Sequence, residues 1–173
     1  MKRIFCLMLT LLLVCGICGC HYSDSGDILE PVEFYYPRNS AAFVYGSEDG
    51  VIAAEIREGS GHTSDLNYLL SMYLRGPMDA GMYSPFPENC RLLTSYFEGD
   101  TVYVRLSSAF SSLENMELTI ASTALAKTCL SIVDATYVHI DSVAEGKSIS
   151  ITLDADSIHF ADYSVVEPTE ITE

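Results

Sequence analysis

The chain has 173 residues, with 24 acidic against nine basic side chains and a formal net charge of −15. A surface that acidic is repelled by the phosphates of nucleic acid and by anionic lipid headgroups, which excludes nucleic acid as a partner and excludes purely electrostatic membrane adsorption. No internal repeat or long low-complexity segment is visible, and 49% of the residues are hydrophobic, enough to build a core.

Lys2 and Arg3 precede an apolar run from Ile4 to Val14 that only Thr10 interrupts, and small residues follow it. This is the pattern of a secretion signal; a spanning helix needs about 20 apolar residues. In Ile17-Cys18-Gly19-Cys20 the aliphatic residue three before Cys20 and the glycine just before it resemble a lipobox, where signal peptidase II cuts ahead of the thiol that receives a diacylglyceryl group. Cys15 and Cys18 fit worse, because Val14 and Ile17 stand directly before them. Cys18 inside the box departs from the common pattern, and an ordinary cleaved signal is the competing reading. The expected arrangement is a leader at 1–19 and lipidation at Cys20.

Cleavage there leaves 154 residues, one domain's worth, which buries roughly 68 to 70% of the surface its unfolded chain exposes. It also removes two basic residues and no acidic ones, taking the formal charge to −17. Membrane attachment, on the extracytoplasmic face of the cell membrane, must then come from acyl chains. One chain holds a protein marginally, at about 0.8 kcal/mol per buried CH₂, and two or three hold it stably.

Residues 20–32 read as an acidic, serine-containing tether, 33–163 as the folded domain and 164–173 as an acidic tail. Glu33 to Tyr36 is a short strand. Val51 to Arg57 alternates, with Ile52, Ala54 and Ile56 expected inward and Glu55 and Arg57 outward. Leu66, Leu69, Leu70, Tyr73 and Leu74 follow a helical stripe that Ser64 or Asp65 can cap and that Gly76 and Pro77 stop. Arg91 to Phe97 and Thr101 to Leu106 flank the turn Glu98-Gly99-Asp100, with Val102, Val104 and Leu106 on one face.

A second helix carries Leu118, Ala121, Leu125, Cys129 and Ile132 at helical spacing, with Asn115 as its expected cap. Tyr137 to Val143 and Ser148 to Leu153 form another hairpin around Glu145-Gly146-Lys147, and Ile158 and Phe160 are expected to add an edge strand. The fold class is α+β: two helices packed on a mixed, mostly antiparallel sheet in a single compact domain.

Beyond the leader and Cys20 only Cys90 and Cys129 remain, which is no disulfide scaffold, although one bridge in an exported protein stays open. Cys129 falls on the apolar face of its helix, where a thiol packs as a small hydrophobe. His21, His62, His139 and His159 are scattered, with no metal-ligand spacing, no H-E-x-x-H and no C-x-x-C after the leader, so no metal or cofactor is expected. Asp154 and Asp156 share a strand face in this reading but lack the further oxygens and turn glycine of a calcium loop. No G-x-S-x-G elbow accompanies the serines, Ser107-Ser108 has no evident base, and Gly59-Ser60-Gly61 lacks the lysine of a phosphate loop. No catalytic residue is assigned. A Cys90–His hydrolase has no positive support beyond the residue types themselves.

The loop between Pro77 and Pro87 carries Met78, Met82, Tyr83 and Phe86, a candidate apolar contact surface; the competing reading is that it folds back over the end of the sheet.

Several segments resemble the GerMN domain family. They are Tyr68 to Pro77 with its Leu74-Arg75-Gly76-Pro77 ending, Ser84-Pro85-Phe86-Pro87 with Cys90 to Leu93, Val102 to Ser107 with Phe110, and Leu125 to Thr128 leading into Tyr137 to Ile140. The pieces stand in the family's order from about Phe34 to Leu153. The resemblance gives Leu74, Gly76, Pro77, Pro87 and Thr128 as structural motif positions. It implies an exported lipoprotein of spore-forming or related bacteria and a non-enzymatic interaction or scaffold role in sporulation or germination with an envelope protein as partner. Family members can carry two such domains, whereas the length here has room for one, so a role that needs a tandem pair is not expected. A cell-wall glycan or peptidoglycan-fragment binder, with Tyr rings stacking on sugars, is the second reading.

Overall fold

The computed structural model describes residues 30–39 and 50–164. Cys20, the leader, most of the tether and the tail after 164 lie outside the described residues. β1 (Pro31–Pro37) pairs antiparallel with β2 (Ile52–Glu58) as a two-stranded ribbon, and α1 (Leu66–Tyr73) follows. Asp65 caps α1 by accepting from the Tyr68 N–H at 3.0 Å, and Leu69, Leu70 and Tyr73 are the buried stripe.

β3 (Leu92–Glu98) and β4 (Thr101–Leu106) form a hairpin, and β5 (Tyr137–Ala144) and β6 (Lys147–Asp154) form a second. Their two-residue turns place Gly99 at φ +67° and Gly146 at φ +75°, a conformation that costs glycine nothing. β4 and β5 run parallel and join the hairpins into one sheet, β3-β4-β5-β6. A parallel pair demands a long crossover. Here it is a 3₁₀ turn, Ser108–Ser112, followed by α2 (Asn115–Ile132). The α+β class stands as expected, but the strands divide into a ribbon and a separate mixed sheet.

The ribbon and the sheet meet through α2, which packs on β1 as well as on β5 and β6. Its middle is enclosed all round: Ala121, Ser122, Thr123, Ala124, Leu125, Ala126, Thr128 and Cys129 are all buried. Small side chains let neighbouring backbones come close, and Thr128 and Ser131 use that closeness. The Thr128 hydroxyl accepts from the Tyr35 N–H at 2.9 Å, and the Ser131 hydroxyl donates to the Glu33 carbonyl at 2.9 Å, occupying the free edge of β1. Asn67 of α1 does the same for β3, accepting from the Ser95 N–H at 2.9 Å and donating to its carbonyl at 3.1 Å. Both open edges are thereby closed to stray strand pairing at those positions.

Three expectations are corrected. Ile158 lies in a helix, α3 (Ala155–Ser164), rather than in an edge strand, because Asp154 accepts from the Ser157 N–H at 2.8 Å and starts a helical turn. Asp154 is thus a cap, not half of an aspartate pair on a strand, and those hydrogen bonds hold its carboxyl below the usual value. At the start of α2 Glu114, not Asn115, is the cap residue, and Asn115 takes φ +50°, which asparagine tolerates better than most residues. Finally, β2 departs from its apolar alternation past Ala53: Ile52 is buried as expected, but Ile56 is 55% exposed, while the Arg57 and Glu55 side chains are 9% and 10% exposed. The cause is that Arg57 lies over the Phe34 and Tyr36 rings and donates to the Gly76 carbonyl.

Candidate functional site

The loop that the sequence singles out is anchored by an aromatic junction. Register places Val32, Phe34 and Tyr36 of β1 on the same face as Ala53, Glu55 and Arg57 of β2. Tyr36 stacks on Tyr73 of α1 with ring centroids 4.7 Å apart. The Tyr36 hydroxyl donates to the Tyr73 carbonyl at 2.6 Å, and the Tyr73 hydroxyl donates to the Tyr35 carbonyl at 2.8 Å. Burial drives both phenols far above their ordinary value, so they remain neutral donors.

Arg57 lies 5.2 Å from the centre of the Phe34 ring and 5.5 Å from that of Tyr36, close enough for cation–π attraction. Its guanidinium donates to the Gly76 carbonyl at 2.7 Å and pairs with Glu55. Glu55 in turn accepts from the N–H groups of Met78, at 3.0 Å, and Asp79, at 3.3 Å. A nearly buried ion pair thus holds the end of α1 and the start of the loop. Gly76, at φ +94°, makes the reversal that exposes its carbonyl to Arg57.

Past this anchor the loop runs back along the ribbon, with the Tyr83 N–H donating to the Pro37 carbonyl at 3.0 Å, and then becomes one wall of a groove. The facing wall is Leu113 and the first turns of α2, where Met116, Glu117 and Ile120 share a side. The groove encloses about 440 Å³, within the range of about 300 to 1,000 Å³ typical of ligand pockets. Phe86 is its floor, 8% exposed, edge-on to Tyr73 at 5.5 Å and 6.2 Å from Phe110. Met116 on the rim is 59% exposed. Apart from Ser84, Glu117 and the Tyr83 hydroxyl the lining is hydrocarbon. The Tyr83 phenol is raised by burial first and by the Glu117 carboxylate second.

The candidate contact residues therefore separate. Tyr83 and Phe86 line the groove, Met78 is 82% exposed outside it, and Met82 is half-buried against the core. Phe86 and Met82 are corrections to the idea of one exposed patch: Tyr73 and Phe110 take in Phe86, and Met82 packs partly buried against the core. Among the motif positions, Leu74 and Gly76 close α1, Pro77 follows, Pro87 lines the groove, and Thr128 sits on the β1 edge. Met116, Glu117 and Ile120 did not stand out in the sequence. Their i, i+1, i+4 spacing ahead of the small-residue stretch that forms the buried middle of α2 was the available signal.

The groups considered for catalysis are otherwise engaged. The Ser107 hydroxyl accepts from the Arg91 N–H at 3.0 Å and donates to the Asn89 carbonyl at 3.2 Å. Cys90 and Cys129 are free buried thiols; burial pushes Cys90 up to about 11 and Cys129 higher still, the reverse of an activated thiolate. On the outer face of the sheet, His139 Nδ1 meets the Thr152 hydroxyl at 2.8 Å and its Nε2 lies 3.6 Å from Asp141. Among the described residues no three His, Cys, Asp or Glu side chains converge as metal ligands would, and no helix is long and apolar enough to cross a membrane.

The family profile described as "Sporulation and spore germination", named Germane, matches residues 33–150. No curated protein matches the chain. Among solved structures, the tandem GerMN domains of the sporulation protein GerM from Bacillus subtilis align over 73% of this chain at 16% identity with a TM-score of 0.51. The chain spans 46% of that protein's length. A candidate lipoprotein from Clostridium perfringens aligns over 73% of this chain and 87% of its own, at 16% identity and a TM-score of 0.45. With the profile covering more than half of the residues and the GerMN fold matched, the chain belongs to the Germane family of sporulation and spore germination domains.

Proposed function

We propose that this protein is a lipid-anchored lipoprotein of the extracytoplasmic membrane face whose GerMN-type domain docks an envelope protein without catalysis, in sporulation or germination. The anchor is Cys20, read from the leader; family membership supplies the sporulation link. The observation that carries the docking role is the open apolar groove between Pro87 and α2, built on a loop held by a nearly buried ion pair. Rigid walls with an apolar floor are what a contact site needs, because a preordered surface loses little entropy on binding.

Two measurements on the full chain in cells test it. Metabolic labelling with a fatty acid should mark the parent and leave Cys20→Ser unlabelled; equal labelling of both removes the anchor. A photo-crosslinker replacing Met116 should capture one extracytoplasmic protein, and the same group at exposed Ser148 should not. Absence of any protein adduct at 116 removes the docking role.

One feature favours the second reading, a cell-wall glycan binder. The outer face of the sheet carries Tyr96 stacked on Tyr103 at 4.9 Å, with His139 5.5 Å further along the row. If that reading holds, muropeptides bind the purified domain and Tyr96→Ala abolishes the binding.

A further inference from the structure

The groove's chemistry narrows the kind of segment it takes. Its floor and both walls are apolar, and its one charged lining residue is Glu117. Nearby Glu114 is already neutralised: the Lys147 ammonium lies 3.0 Å from its carboxylate and donates to the Leu113 carbonyl at 3.3 Å. Glu117 has no cationic partner among the described residues, and it stands beside the Tyr83 ring at the mouth of the groove. Its place in the first turn of α2 suits the helix dipole, but that role leaves the outer side of the carboxylate facing solvent. The whole chain, at −15, attracts a cationic segment and repels an anionic one before contact is made.

Resting on the docking role proposed above, we infer that the groove between Pro87 and α2 binds a polypeptide segment of an extracytoplasmic protein that pairs a large apolar side chain with a neighbouring Lys or Arg. The apolar side chain enters over Phe86, between Pro85 and Ile120. The cation pairs with Glu117 and lies against the Tyr83 ring, the arrangement that suits a guanidinium or ammonium over an aromatic face. An acidic or purely polar segment meets both the repulsion and an unfilled hydrocarbon floor.

The test uses the full mature chain and labelled decapeptides with a Leu-Lys-Phe core in Gly-Ser flanks, read by fluorescence anisotropy. Binding should weaken about tenfold when the peptide Lys becomes Glu, because opposite and like charges at a partly exposed site differ by roughly that factor. Raising the salt should also weaken it. Glu117→Gln should lower affinity for the Lys peptide and leave that for its Gln counterpart unchanged, while Glu117→Lys should favour the Glu peptide. The peptide exchange leaves the protein untouched, so its result does not depend on how a variant folds. Equal binding of the Lys and Glu peptides, or no effect of Glu117→Gln, overturns the inference. Absence of any peptide binding while the Met116 crosslink still captures a protein overturns it too and leaves the docking role standing; loss of the crosslink removes both. Competition for the groove by muropeptides in place of peptide is likewise a refutation.

Discussion

Two aromatic regions lie a few residues apart, and they differ in what their polar atoms do. At the junction Tyr36 and Tyr73 exchange hydrogen bonds with backbone carbonyls, and Arg57 and Glu55 satisfy Gly76, Met78 and Asp79. At the groove rim Tyr83, Met116 and Ile120 present carbon to an open space, and Glu117 has no ion-pair partner among the described residues. Both regions are rich in aromatic and long apolar side chains. The first spends them on holding the fold, and the second leaves them available. The lesson is that a candidate contact surface stands out by what remains unsatisfied, not by aromatic content.

The sharpest way to break the distinction is to damage the packed side. Leu125→Asp places a charge where Leu125 is fully buried at the centre of α2, and it should cost about 3 to 5 kcal/mol, a large part of a domain's usual 5 to 15. Leu70→Asp in α1, equally buried, should behave alike. Urea unfolding followed by circular dichroism measures both, and midpoints equal to the parent's would mean that these helices do not face the core.

Next in size is the ion pair. Arg57→Met strands the nearly buried Glu55 carboxylate and frees the Gly76 carbonyl, at a cost of about 3 kcal/mol. The double variant Glu55→Gln/Arg57→Met should recover part of that loss, since it removes the stranded charge. Tyr73→Phe removes the donor from the half-buried Tyr35 carbonyl and should cost about 1 kcal/mol. A thermodynamic cycle over the four Arg57 and Glu55 forms settles whether the pair is coupled; simple additivity would place the loop's anchor elsewhere.

This junction also marks the limit of what the sequence disclosed. Alternation finds strands and helices because it reports burial of hydrocarbon, and most of the inward faces in β4, β6 and α2 follow it: Val102, Val104, Ile149 and Leu125 are all buried. It holds at Ile52 but fails over the second half of β2, since Arg57 becomes an inward residue by stacking on Phe34 and Tyr36 and finding a carbonyl, a satisfaction no periodicity records. Ile158 misled for a related reason. An apolar pair two residues apart reads as a strand, but Asp154 caps a helix at that point. The groove was half legible: the loop from Pro77 to Pro87 stood out by its length and its methionines and aromatics, while the opposing wall became visible only once α2 had been placed against it.

A smaller effect separates the regions by pH. Cys90 and Cys129 are held protonated by burial, with Cys90 pushed up to about 11 against an ordinary 9.0. A folded value above the unfolded one means that the stabilisation is complete below about pH 9 and fades as the pH climbs through about 11, because the unfolded chain releases the proton first. Tyr36 and Tyr73 add to the same alkaline loss from about 10 upward. Unfolding midpoints at pH 8 and 10.5 measure it, and Cys90→Ala/Cys129→Ala should flatten the difference. Iodoacetamide should label the native thiols slowly at pH 8 and rapidly in urea; fast labelling of the folded protein would show that Cys90 is reachable.

The smallest change in stability should come with the largest change in contact. Met116 is mostly solvent-exposed at the start of α2, so Met116→Ser removes little buried area and should shift folding stability by no more than about 0.5 kcal/mol. On the groove side the same substitution takes an apolar wall from whatever occupies the space above Phe86. Methionine is suited to such a wall because its unbranched thioether adapts to different partners. The expected result is an unfolding curve superimposable on the parent's, together with weaker capture by a crosslinker placed at Ile120. Should Met116→Ser instead destabilise the domain by as much as Tyr73→Phe, the rim would be part of the packed core and the contrast between the two regions would disappear.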